Sequence, residues 1–323
     1  MRVSVITGEV FLHPASGMPP ESADRLRTAL SGVPEGVQWR DPSPCSDADL
    51  ARVHGTGYLR WLRDISSGER FLDGNTFISP PVYRAARCAA GSAVAATERA
   101  LSGETCFAMV RPPGHHAEPD RAMGFCFFNN AAVAAAWAME QVDRVAILDW
   151  DLHHGNGTQA AFYGSERVLF CSVHQHNAFP FTGWVDEIGT GAGKGFTLNA
   201  PLPPGATLSD YRLIFTEVFT PAISRFRPDL LIISAGQDGL RDDPQGSMQL
   251  DPGDYGELTR IARQAADCPL ALILEGGYGP SHGTAIAAIF GGLQEEAASP
   301  APPPSPRPST REVARILQKV GYF

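Results

Sequence analysis

Apolar residues fall in short, dense runs separated by longer alanine-rich or amphipathic stretches. Val3–Thr7, Cys106–Val110, Val145–Leu148, Val168–Val173, Leu230–Ser234 and Leu270–Leu274 are each four to six residues long. Runs of this length without helical spacing read as buried strands. Between them, Val82–Leu101 and Asn129–Met139 are alanine-rich, and Asp210–Phe226 and Asp254–Ala266 are amphipathic at helical spacing. Strands alternating with helices predict an α/β fold: a single domain with a mainly parallel sheet and helices on both faces. In such folds ligands bind beyond the carboxyl ends of the strands. No internal repeat is visible.

The pattern changes near the end of the chain. Residues 1–295 form the expected body. Residues 296–308 are rich in proline with alanine and serine, which predicts an extended linker. In the last segment, 309–323, Ser309-Thr310-Arg311-Glu312 has a capping-box pattern, predicting a helix to about Lys319.

Composition narrows the class. With 323 residues, 43% hydrophobic and 19% charged, the chain can bury a large core. A formal net charge of −9 argues against a nucleic-acid-binding surface. A negative field favours cationic substrates, although a charge of this size is also what plain solubility requires. The six cysteines show no Cys-x-x-Cys spacing, and several sit in apolar runs as expected of reduced, buried thiols. No window approaches a membrane span, and the first apolar run is too short for a signal peptide, so the cytoplasm is the expected compartment.

Candidate chemistry concentrates where the strand-like runs end. After Val145–Leu148 comes Asp149-Trp150-Asp151-Leu152-His153-His154-Gly155-Asn156-Gly157. Asp151 and His153 are two apart, so in extended backbone they point the same way. A carboxylate oxygen and an imidazole nitrogen converging there suit Zn²⁺, and the following glycines let the chain turn away. Three further segments carry matching parts. They are Arg111-Pro112-Pro113-Gly114-His115-His116-Ala117 with Gly124-Phe125-Cys126-Phe127-Phe128-Asn129-Asn130; Ser234-Ala235-Gly236-Gln237-Asp238 with Asp243-Pro244; and Leu274-Glu275-Gly276-Gly277-Tyr278. Taken singly, a Gly-Gly-Tyr is usually a turn and a His-His pair is usually surface or core.

In this order and spacing the four motifs resemble the zinc-dependent histone deacetylase family, specifically its class II-like and acetylpolyamine-amidohydrolase branches, over roughly residues 1–295. The resemblance implies an arginase/deacetylase-like three-layer fold. It also implies a zinc-dependent amidohydrolase that removes acetyl or other acyl groups from amines on slender chains, either acetyl-lysine or acetylpolyamine. Asp151, His153 and Asp238 would be the zinc ligands, with Fe²⁺ and Co²⁺ suited to the same donor set. His115 and His116 would flank the reacting water, one as general base and the other as general acid or electrostatic partner. Asp149 would stand behind His115 and Asn156 beside His116. Tyr278 would donate to the oxyanion, and Arg25 matches the family's interior arginine. Gly124, Phe125 and Phe179 would line an acyl-chain tunnel. Phe181, where many relatives have Gly, would replace or narrow that wall. Gln245 would fall at the tunnel rim, and Asn75 matches the position of a rim acid. A structural K⁺ would be caged by backbone carbonyls of Asp149, Asp151, His153 and Val173 with Ser172. His54, His174 and His176 read as structural or surface residues.

Two departures from the family pattern stand out. Pro19-Pro20-Glu21 replaces His-Pro-Glu, and Gln237 stands where Phe is common, which predicts altered packing rather than loss of metal. A two-manganese ureohydrolase of the same architecture would need carboxylates at positions that are Gly155 and Gly236 here. A non-catalytic acyl-amine binding protein would have lost a ligand, a histidine or the tyrosine, and none is lost. The expected partner is a small acetylated amine or an acetyl-lysine protein, with neither nucleic acid nor membrane. A homo-oligomer covering the tunnel mouth would favour the small amine.

Overall fold

A computed structural model of the protein describes residues 3–13, 19–294 and 305–320. Its strands are β1 (Val3–Ile6), β2 (Gln38–Arg40), β3 (Arg70–Phe71), β4 (Phe77–Ile78), β5 (Thr105–Ala108), β6 (Val145–Asp149), β7 (Val168–Gln175), β8 (Thr197–Leu202), β9 (Leu230–Ala235) and β10 (Leu270–Leu274). Eight of them form one sheet in the order β2-β1-β5-β10-β9-β6-β7-β8, with every neighbouring pair parallel. β3 and β4 form a separate antiparallel hairpin. The expected α/β domain is therefore what the chain adopts. Central strands such as Leu230–Ala235 are buried at every residue because helices cover both faces.

All six predicted strands form, with ends shifted by a residue or two. The two outer strands of the sheet were not predicted. β2 is short and largely exposed. β8 contains Pro201, which an edge strand tolerates because one side of its backbone needs no sheet partner.

The predicted helix Asp210–Phe226 is interrupted. It runs as α-helix over Leu208–Ile214, widens to one π turn over Phe215–Phe219, and resumes over Thr220–Phe226. Pro221 has no N–H to offer the Glu217 carbonyl, and the side chain of Gln318 donates to that oxygen instead at 3.2 Å. The helix His282–Gln294 shows no amphipathic period in the sequence because its outward stripe is largely Thr284, Ala287, Ala288 and Gly291, small residues that contrast little with the buried face.

The last helix spans Pro308–Val320 and packs on β8 and on Leu208–Ile214. The expected capping box does not start it. Pro308, placed by the sequence in the linker, is its first residue, as suits a residue with no N–H. Thr310 instead donates its hydroxyl to Asp210 Oδ1 at 2.7 Å, and Arg307 N donates to the same oxygen at 2.8 Å. Most of the expected linker, residues 296–304, lies outside the described residues.

Topology fixes where chemistry can occur. β5, β10, β9 and β6 are consecutive neighbours and parallel, so their carboxyl ends open on one side. The four motifs follow these four strands.

Candidate active site and metal centre

The loop after β5 carries His115 and His116. Its main chain is held from below, because Gly114 N and His115 N both donate to Glu275 Oε2, at 2.7 and 3.1 Å. Gly114 must be glycine, since a Cβ there would lie 2.4 Å from Asn130 N. The two imidazoles sit with ring centroids 4.0 Å apart and have different partners. His115 Nδ1 lies 3.1 Å from Asp149 Oδ2, and His116 Nδ1 lies 2.8 Å from Asn156 Oδ1.

These partners drive the two rings apart in basicity. Burial opposes a proton on His115, but Asp151 and Asp149 outweigh it and hold its pKa well above the ordinary value. Burial pushes His116 well below that value, and positive charge on His115 and His153 adds to the effect. The two rings therefore differ in basicity, as an acid–base pair with divided roles requires.

Asp151 and His153 follow β6, and Asp238 follows β9. Their ligand atoms lie within 4.8 Å of one another, and no other such group of three occurs among the described residues. His153 Nδ1 is 3.2 Å from Asp151 Oδ1 and 3.0 Å from Asp238 Oδ2. The outer carboxylate oxygens are fixed by main-chain donors: Gly276 N to Asp151 Oδ2 at 2.7 Å, and Leu152 N to Asp238 Oδ1 at 2.8 Å. One imidazole and two buried carboxylates, oriented from behind, fit a divalent transition metal with open coordination positions. The glycines around them make room. A Cβ on Gly276 would come 2.5 Å from Asp238 Oδ2, and one on Gly236 would come 2.1 Å from Asp151 Oδ2. A Cβ on Gly155 would meet Asp149 Oδ2 at 2.3 Å. The positions a second metal would need are thus both side-chain-free and closed to side chains.

A cavity of about 160 Å³ opens over this centre. His115, His116, Asp151, His153, Asp238 and Tyr278 meet at it, and Gly124, Phe125, Phe179, Asn75 and Gln245 are among the residues that line it further. The Phe179 ring meets His116 edge-on at 5.0 Å. Gly124 has φ 58°, and a Cβ there would lie 2.6 Å from the His116 ring, so the wall approaches closely only through glycine. Thr76, from the hairpin β3–β4, accepts from Phe125 N at 3.1 Å and ties that hairpin to the wall. Phe181 does not join the wall: it is 63% exposed and stands outside the cavity. Its backbone has φ 64°, which turns the chain away after Phe179.

Tyr278 follows β10. Its N–H and that of Gly279 donate to Asp243 Oδ2 at 2.6 and 2.9 Å. The buried Arg25 guanidinium lies 5.0 Å from the Tyr278 ring centroid and donates to Glu21 Oε1 at 3.1 Å. Gln237 is accommodated by a buried polar pair, accepting at Oε1 from His282 Nε2 at 2.8 Å. Ser172 lies opposite Asp149 in the β6–β7 register, and its hydroxyl is 2.9 Å from His174 Nδ1. His54 is buried, 3.1 Å from the Glu118 carbonyl oxygen, and accepts from Asn129 N at 2.9 Å; His176 is exposed.

Sequence reasoning gave no role to Glu275, Asp243 or Glu118. Each sits within a motif or a few residues from it, but its task is to accept hydrogen bonds from another loop. Only an acid directly before Gly-Gly-Tyr or two residues after the His pair hinted at this.

An Asp-His-Asp cluster able to hold a metal ion, with tandem histidines beside it at the carboxyl end of a parallel sheet, is an arrangement suited to hydrolases of the deacetylase type. Residues 19–291 match the Histone deacetylase domain family, and the chain belongs to it. It is 41% identical over 298 residues to a histone deacetylase-like amidohydrolase of Pseudomonas aeruginosa, covering 87% of this chain and 78% of that protein. It is 39% identical over 293 residues to a probable deacetylase of Archaeoglobus fulgidus, covering 85% and 82%. Among solved structures it superposes on the HDA15 HD domain with a TM-score of 0.90 and 32% identity, covering 99% of this chain and 94% of that one.

Proposed function

We propose that the protein is a zinc-dependent deacetylase that hydrolyses the N-acyl bond of a primary amine carried on a slender, uncharged stem. The observation that carries this reading is the convergence of the Asp-His-Asp cluster, the unlike histidine pair and Tyr278 on one narrow cavity walled by Phe125 and Phe179.

Asp151, His153 and Asp238 would hold the metal, which when bound supplies Lewis acidity towards water and the amide carbonyl. The chain's own groups do the rest. Two aromatic faces grip the methylene stem and align the acyl group. His116, kept neutral, accepts a proton from the attacking water at its ring nitrogen remote from Asn156, and returns it to the departing amine. His115, protonated against Asp149, stabilises negative charge developing on the carbonyl carbon's oxygens. The Tyr278 hydroxyl donates to the same oxyanion. Water adds across the C–N bond, giving acetate and a free amine. Backbone carbonyls of Asp149, Asp151, His153 and Val173 with Ser172 form the proposed K⁺ cage beside the ligand loop.

Apart from the metal ligands, the histidines and Tyr278, the polar residues lining the cavity are Asn75 and Gln245, and neither carries charge. This favours an acetyl-lysine side chain, whose stem is neutral, over an acetylpolyamine whose next nitrogen is cationic. The test is acetate release by the zinc-loaded protein from an acetyl-lysine peptide, acetylputrescine and acetylspermidine at matched concentration. Faster turnover of the peptide is expected. Faster turnover of the polyamines would reverse the substrate assignment, and release from none would remove the deacetylase reading.

A further inference from the structure

We infer that Glu118 is a positioning residue that sets the tautomer of His116 by fixing which way the Asn156 amide faces. This deepens the deacetylase reading and rests on it for its kinetic consequence. Asn156 lies between the two. Its Nδ2 donates to Glu118 Oε1 at 2.8 Å, and its Oδ1 is 2.8 Å from His116 Nδ1. The two ends of an amide have almost the same shape, so packing alone cannot choose between the amide and its flipped form. A carboxylate can choose, because it only accepts hydrogen bonds. With Glu118 on one side, the NH₂ must face it, and the carbonyl oxygen must face His116. That oxygen in turn requires a proton on His116 Nδ1, which leaves Nε2 as the accepting nitrogen.

Glu118 is itself held rigidly. Its N–H donates to Arg121 O at 2.9 Å, and its own carbonyl is 3.1 Å from His54 Nδ1. Further donation from Asn156 Nδ2 to the His116 carbonyl, at 3.4 Å, supports the same amide orientation. The general base of this site is therefore aimed by a three-residue chain whose last member does not line the cavity.

The experiment reads the tautomer directly, by ¹⁵N shifts of histidine-labelled, zinc-loaded protein. Wild type should show His116 protonated at Nδ1. Glu118→Lys offers only donors, so Asn156 should flip and move the proton towards Nε2. Glu118→Gln, which keeps an acceptor oxygen, should retain the wild-type tautomer. Glu118→Met removes the shortest of the acceptors facing Asn156 Nδ2 and leaves only the His116 carbonyl at 3.4 Å and Met123 Sδ at 3.5 Å, so a minor Nε2 tautomer should become detectable. An Nδ1 tautomer unchanged in both the Lys and Met variants would overturn the inference, whatever the enzyme's turnover.

Kinetics supply a second readout. Glu118→Lys should lower kcat by about 10²-fold, the lower end of what acid–base catalysis contributes, with KM little changed. In an Asn156→Asp background it should raise kcat, because an aspartate accepts from His116 with either oxygen and its other oxygen would otherwise face Glu118. A loss of similar size in both backgrounds would reduce Glu118 to a structural residue.

Discussion

Replacing Tyr278 by Phe isolates one hydroxyl. The ring should stay where it is, because its position rests on other contacts. Tyr278 N and Gly279 N are clamped by Asp243 Oδ2. The Tyr278 ring packs 5.0 Å from the Arg25 guanidinium and 5.9 Å from the Phe125 ring. The hydroxyl has no hydrogen-bond partner among the described residues, so its loss strands no buried group. The stability change should stay within about 0.5 kcal/mol, as for substitutions that break no packing or network. What disappears is one donor aimed at the developing oxyanion. Such a donor is worth about 3–4 kcal/mol in a water-poor site, or roughly 10²–10³ in kcat. The assay is steady-state acetate release, with zinc content and melting temperature measured on the same preparation. kcat should fall by that factor while KM, zinc content and melting temperature hold. A kcat within about threefold of wild type would refute the oxyanion role, since no other effect could mask a loss of this size.

Other consequences follow from the same geometry. Asp238→Ala should abolish zinc binding, because it removes a ligand and leaves Leu152 N, now bonded to Asp238 Oδ1 at 2.8 Å, without its acceptor; stoichiometric zinc in the purified variant would refute the ligand assignment. His116→Ala should keep zinc and lose about 10²–10⁴ in kcat, and full turnover would remove it as the general base. In the metal-free protein His153 is pushed up to about 10, because Asp151 and Asp238 overcome the opposition of burial. Zinc binding at pH 7.5 should therefore release about one proton, seen as buffer-dependent heat in calorimetry, and a buffer-independent heat would count against it. Acid stability can be read at His54, which is not one of the metal-ligating cluster. Burial lowers its pKa from 6.5 to about 4, so the unfolded chain binds a proton there before the folded protein does. Its contribution is complete above pH 6.5 and lost as pH falls towards 4, about 3 kcal/mol in all. His54→Gln in excess chelator should flatten the fall of melting temperature across that window, and an unchanged slope would disprove the assignment.

The sequence by itself determined the layered α/β class and the inner strands, because strands buried on both faces must be continuously apolar. It also singled out two of the proposed ligands, Asp151 and His153, by their spacing, although β6 ends at Asp149 and the two side chains converge through a bend beyond the strand. Elements without such a signature were not legible. β8 carries Pro201 and stabilises itself by edge pairing, and His282–Gln294 is apolar all round. Phe181 lies two residues from a wall residue, yet a left-handed turn of the backbone, not its chemistry, puts it in solvent. What the tertiary structure alone decided is the support behind each functional group. Glu275 reaches the Gly114 and His115 amides from 160 residues away, Asp243 clamps the tyrosine loop, and Glu118 orients Asn156. Strand periodicity records which residues face a core, so it is written locally. A hydrogen bond between loops depends on strand order, and the order β5-β10-β9-β6 exists only once the sheet has formed.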